Sequence, residues 1–212
     1  IFGANDGIIT TVAFLIATMH AISDSATLLW ITLIEIIAGA LSMGAGAFMA
    51  KRSESLFFRN ELNREKYEME YSPAQEIAEV KDFFENYGFT PEERDMATQR
   101  ITANKDKWLQ FMMKEEFGFH QHTFDPAWIS GLLMGTSFIV GSLPLLIPVL
   151  WWGHTPETVA VLGATLLFIV GWSRYQFTNQ KPLWAGIENL ALGVAIMGLS
   201  ELLGRWARHL MG

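Results

Sequence analysis

Ten acidic and methionine residues stand out as candidate ligands for a divalent cation, and their spacing sorts them into two groups. Asp6, Glu35 and Met43 sit inside apolar segments near the start of the chain. An ionisable side chain in hydrocarbon costs at least roughly 2.5–3.5 kcal/mol on insertion scales, so it marks a pathway, a relay or a partner. Glu65, Glu68, Glu76, Glu79, Met112, Met113 and Glu116 lie in a charged stretch further along. Glu65 and Glu68 are three apart, which puts them on one helix face, and Glu76 and Glu79 repeat that spacing. Met112, Met113 and Glu116 share a face of a later segment. Clustered carboxylates repel unless protons or cations neutralise them. Carboxylate oxygens with thioether sulfur suit Fe2+ or Mn2+ better than Mg2+. A plainer reading stands beside this one: Glu at such spacing is common on solvated helices. Arg64–Glu68 and Lys66–Glu70 would then be surface pairs, and Met112 and Met113 core filler.

The elements that must position these residues are helices. Half of the residues are hydrophobic and 17% are charged, a mixture that fits a membrane protein with one polar domain. Five apolar runs stand out: Ile1–Ala21, Thr27–Ala50, Trp128–Trp152, Thr158–Ser173 and Leu183–Leu203. A span needs about 20 apolar residues. Thr158–Ser173 is short, and Thr155-Pro156-Glu157 lengthens it at the start. The first run lacks the basic start and cleavage site of a signal peptide, and the opening Ile leads us to expect an upstream segment. The chain has no Cys, which excludes disulfides and thiolate ligands. A net charge of −7 gives no reason to expect nucleic acid.

The expected fold is therefore all-α: five membrane spans with a small three-helix insert. The division is 1–50 for the first two spans, 51–124 for the insert and 125–212 for the last three. Lys51–Tyr71 has no Gly or Pro and extends the second span as a helix. Ser72-Pro73-Ala74-Gln75 and Thr90-Pro91-Glu92-Glu93 read as capping boxes that start new helices. Asn86-Tyr87-Gly88 ends the helix between them. A further helix is expected over 106–117, and Asp125-Pro126 caps the third span. No strand alternation is visible. Eleven of the fifteen Lys and Arg residues lie between Lys51 and Lys114, and Lys51, Arg52 and Arg59 are close to the second span. The positive-inside rule then puts the insert in the cytosol.

The first two spans form a hairpin. Pairing residues symmetrically about position 24 puts Asp6 level with Met43 and Glu35 level with Phe14. The two levels are about 12 Å apart at 1.5 Å per residue. A cation can step between them, and carboxylates that take up protons when empty couple its movement to a proton gradient. Asp6 as a helix cap at the membrane edge is the competing reading. Ala38, Ser42 and Gly46 line one face with small side chains, flanked by Gly39, Ala40, Gly44 and Ala45, which suits close helix packing. Glu188 and Asn189 in the last span suggest a polar contact or a proton site. Glu201 with Arg205 reads as an i,i+4 pair, and His120 and His122 as a solvated pair or a metal site.

Together these residues resemble the vacuolar iron transporter family. The matching signatures are Asn5-Asp6-Gly7, Gly39-Ala40-Leu41-Ser42-Met43-Gly44 running on to Lys51-Arg52-Ser53-Glu54, the Glu-rich stretch, and Trp108-Leu109-Gln110-Phe111-Met112-Met113-Lys114-Glu115-Glu116. The resemblance implies a proton-coupled exporter of Fe2+ from the cytosol, with Mn2+ as an alternative cargo, and no covalent cofactor. It implies a homodimer in a vacuolar-type or prokaryotic cell membrane, its pore built by the first two spans of both copies. Asp6, Glu35 and Met43 would line that pore, and Glu65, Glu68, Glu76, Glu79, Met112, Met113 and Glu116 would bind metal in the cytosol. Glu188-Asn189 departs from the family pattern. Two other classes compete: a membrane-anchored carboxylate protein that binds and oxidises iron, and a non-transporting metal sensor. The Glu-x-x-His motif of di-iron bundles is missing, which counts against the first.

Overall fold

The computed structural model describes residues 1–118, 126–151, 155–177 and 181–211. Its elements are α1 (Phe2–Met19), α2 (Ser25–Tyr71), α3 (Pro73–Asn86), α4 (Pro91–Thr102), α5 (Lys105–Glu115), α6 (Ala127–Ser142), α7 (Ile147–Trp151), α8 (Pro156–Ser173) and α9 (Pro182–Met211), with short 3-10 turns at Leu143–Leu146 and Arg174–Gln176. Among the described residues there is no strand. The chain divides into two compact units, residues 1–49 with 127–212, and residues 50–126.

Among the described residues the first unit holds five helical segments long and apolar enough to cross a membrane. α1 packs against α6, α8 and α9. Its Ile8, Val12 and Leu15 are fully buried with Leu28 of α2 and Leu167 of α8. Small residues make the close approaches. A Cβ on Gly135 of α6 would lie 2.9 Å from the Ala40 carbonyl oxygen of α2, and one on Gly131 would lie 2.8 Å from that of Gly44. Within the small-residue stripe of α2, Ala38, Ser42 and Gly46 are exposed in the single chain, and a Cβ on Gly46 would meet nothing. Its flanking residues Gly39, Ala40 and Gly44 pack within the chain. The third span is not one continuous helix. Pro144 stands at the start of the 3-10 turn after Ser142, where its missing N–H breaks the α ladder. α8 begins at Pro156, with the Thr155 side chain accepting from the Thr158 amide, so the short fourth span gains its first turn as expected.

The second unit consists of the end of α2 with three short helices. α2 runs unbroken through Lys51–Tyr71, as the absence of Gly and Pro predicts. Thr90 forms a full capping box with Glu93. Ser72 does not: its side chain makes no cap bond, and the start of α3 rests on Pro73 and on the Gln75 amide donating to the Ser72 carbonyl at 3.0 Å. Gly88, with φ of 84°, takes the left-handed turn after α3 that a side chain would strain. Asn104 caps α5 by accepting from the Lys107 amide at 3.0 Å. Met69, Val80, Phe84, Trp108 and Met112 form the core. His120, His122 and Asp125 lie outside the described residues.

Candidate metal and transport sites

In the membrane unit, α1 begins at Phe2, so Asp6 lies within the helix and does not cap it. Asp6, Glu35 and Met43 are all half-buried. Glu35 is the best defined. One carboxylate oxygen accepts from the fully buried Thr11 hydroxyl at 3.1 Å. The other is buried and has no hydrogen-bond partner. An acceptor enclosed without a donor carries its full desolvation cost unless a proton or cation supplies the missing contact.

The hairpin register differs from the symmetric estimate. Glu35 meets Thr11, three residues before Phe14, a shift of about 4.5 Å. Asp6 is then level with Ala40, and Met43 stands about one turn beyond it. The link explains the shift. α1 ends early, with the amides of Ala21 and Ile22 both donating to the Thr18 carbonyl. α2 starts at Ser25, where Asp24 accepts from the Thr27 amide at 2.8 Å. The Thr11–Glu35 pairing therefore centres the hairpin near residue 23.

The last span supplies two contacts. Asn189 is buried and donates to the Asn5 side-chain oxygen and to the Leu167 carbonyl, both at 2.7 Å. This is the polar contact that the Glu188-Asn189 pair suggested. Glu188 itself is exposed. Glu201 forms the expected pair with Arg205 at 2.7 Å, and also meets His20 at 2.7 Å. Sequence spacing gives no sign of the His20 contact, which joins residues 181 positions apart.

In the second unit, α2, α3 and α5 bring the Glu faces together. Glu65 is 0% exposed and Glu76 3%. Both oxygens of Glu65 and one of Glu76 have no hydrogen-bond partner. The Glu65 carboxyl lies within hydrogen-bond reach of those of Glu76 and Glu116. Two ionised carboxylates offer each other no donor, so only a proton or a cation between them can satisfy the pair. Burial, then the charge of Glu76, pushes the Glu65 carboxyl up to about 8. Burial, then the charge of Glu79, raises Glu76. Burial raises Glu116 against the opposing effect of Arg64. Glu68 adds to the negative field on all three.

Glu65, Glu76 and Glu116 thus share one negative field, to which Glu68 contributes at all three and Glu79 at Glu76 and Glu116, with Glu65 and Glu76 as the enclosed floor. Met113 is buried, and Met112 is buried within the apolar core, the second role its sequence position allowed. Among the described residues, no three His, Asp or Glu side chains converge closely enough to hold one ion as they stand. Arg64, which spacing marked only as a partner of Glu68, also reaches Glu116.

These observations define a class: a five-helix membrane unit with a half-buried carboxylate, joined to a small acidic helical unit. A family model described as the VIT family matches residues 1–205, and the chain belongs to that family. A vacuolar iron transporter of Centaurea cyanus is 31% identical over 91% of this chain and 80% of its own length. Vacuolar iron transporter 2 of Oryza sativa subsp. japonica is 32% identical over 91% of this chain and 80% of its own. A vacuolar iron transporter of Plasmodium falciparum is 32% identical over 96% and 79%.

Proposed function

We propose that this protein is an iron transporter that exports Fe2+ from the cytosol in exchange for protons, with Mn2+ as a second cargo. The observation that carries the reading is Glu35: a carboxylate with one unpartnered buried oxygen, on a helix apolar enough to cross a bilayer. Membership of a family whose relatives are named for iron transport supplies the cargo. Fe2+ gathers on Glu65, Glu68, Glu76, Glu79, Met112, Met113 and Glu116, passes Met43 and Asp6, and leaves by way of Glu35.

Each carboxylate takes a proton as the metal departs, which balances charge in the low-dielectric path. The exposed small face of Ala38, Ser42 and Gly46 suits a second copy, because small side chains let helices approach closely in lipid. The host membrane is vacuolar-type or a prokaryotic cell membrane, with the acidic unit on the cytosolic side. Proteoliposomes with an imposed pH gradient test the reading. Wild-type protein takes up Fe2+, and Asp6→Ala, Glu35→Gln and Met43→Ala abolish uptake. Unchanged flux in all three removes the route. Oxygen consumption on adding Fe2+, without flux, would favour a carboxylate oxidase instead.

A further inference from the structure

The acidic unit carries a cation of its own. The Arg64 guanidinium lies 2.9 Å from Glu61, 3.6 Å from Glu68 and 3.4 Å from Glu116, three contacts made by three different nitrogens. Its Cζ sits 5.5 Å from the centre of the Phe117 ring. Glu61 and Glu68 are on α2, one turn to either side of Arg64, whereas Glu116 ends α5. The guanidinium therefore ties the two helices together at the open edge of the cluster. Arg64 is 49% exposed there, with Glu68 at 40% and Glu116 at 33%.

Two of its three partners belong to the candidate metal set, and Glu61 does not. Directly beside it, Glu65 is wholly enclosed, with both carboxyl oxygens unpartnered and facing Glu76 and Glu116. The resident cation thus serves the rim and leaves the floor without a partner.

We propose that Arg64 is a tethered counter-cation that occupies Glu68 and Glu116 until a divalent ion displaces it, and so sets the affinity and charge selectivity of the cluster. The inference rests on the cluster being a cation site, as argued above. Arg is always charged and its planar fork is pre-organised, so it holds two carboxylates at little further entropic cost. A monovalent ion offers the rim no more charge than Arg64 already does. A divalent ion offers twice that and also satisfies Glu65 and Glu76. Once displaced, the guanidinium keeps Glu61 and the Phe117 ring. Coupling of this kind is reciprocal: whatever weakens Arg64 on the rim strengthens metal there.

The test is Mn2+ titration of the full chain in detergent, with free Mn2+ followed by its paramagnetic resonance signal in a K+ buffer. Arg64→Gln should tighten Mn2+ binding about fivefold, the scale of two released exposed ion pairs, and should make it more sensitive to added K+. Arg64→Lys keeps the charge but loses the fork, and should fall between the two. Lys66→Gln makes the same change in net charge on an exposed position of the same helix, and should shift affinity less than twofold. Glu65→Gln with Glu76→Gln tests the cluster itself and should abolish the site. If that double variant binds Mn2+ as wild type does, the cluster reading falls and the inference with it. If it loses binding while Arg64→Gln is no tighter than Lys66→Gln, or is weaker than wild type, only the inference falls. Arg64→Lys folds with its charge intact, and its equality with wild type would equally rule out a displaced fork.

Discussion

On the proposed metal-binding role of the acidic cluster, the enclosed Glu65 should make binding pH-dependent to an extent that follows from its raised carboxyl. Its carboxyl is held at about 8 by burial and by the charge of Glu76. At pH 6 about one molecule in a hundred has it ionised, and at pH 8 about one in two. A metal that needs the ionised form must expel this proton. Apparent affinity should therefore weaken about 50-fold between pH 8 and pH 6, by close to tenfold per pH unit at the acid end. About one proton should appear per ion bound near pH 7. Calorimetry of Mn2+ binding in buffers of different ionisation enthalpy measures both quantities on the full chain. Glu65→Gln should bind more weakly at pH 8 and lose most of the pH slope, because the amide has no proton to expel. An affinity constant across this range, or binding without proton release, would mean that Glu65 does not meet the metal.

Three further outcomes follow from particular contacts. Since burial raises both Glu65 and Glu76, helped by the charge of Glu76 on the first and of Glu79 on the second, the metal-free acidic unit should be most stable in acid and lose stability as pH rises from about 4.5 through about 8. Thermal unfolding should show that fall, and added Mn2+ should reverse it. Thr11→Val removes the only hydrogen bond described for Glu35, and should slow Fe2+ flux in proteoliposomes at least severalfold while Thr11→Ser stays near wild type. Asn189→Leu strips partners from Asn5 and the Leu167 carbonyl, and should cost about 1–3 kcal/mol in unfolding from detergent, whereas Glu188→Gln at an exposed position should cost less than about 0.5 kcal/mol.

The order of elements was open to reading because each is set by local rules. Five apolar runs must become helices to satisfy their backbone in lipid. Thr90 and Thr155 cap helices through residues three positions away, and Gly88 permits a left-handed turn. The Glu spacings alone put Glu65 with Glu68, and Glu76 with Glu79, on common faces. Ser72 marks where such rules end: its motif is present, but the hydroxyl makes no cap bond and Pro73 with the backbone suffices.

What the fold alone decided are quantities that depend on distant chain segments. Spacing cannot say which of five carboxylates is enclosed; packing of α2, α3 and α5 chose Glu65 and Glu76, and so created the strongly raised acid. It cannot give the hairpin register, because a few link residues move Glu35 from Phe14 to Thr11. Nor does it show that Arg64 reaches across to Glu116, or that His20 meets Glu201. A residue's type and its neighbours in sequence fix the charge it can carry. Its burial, and the groups it faces from other helices, fix the free energy of carrying it.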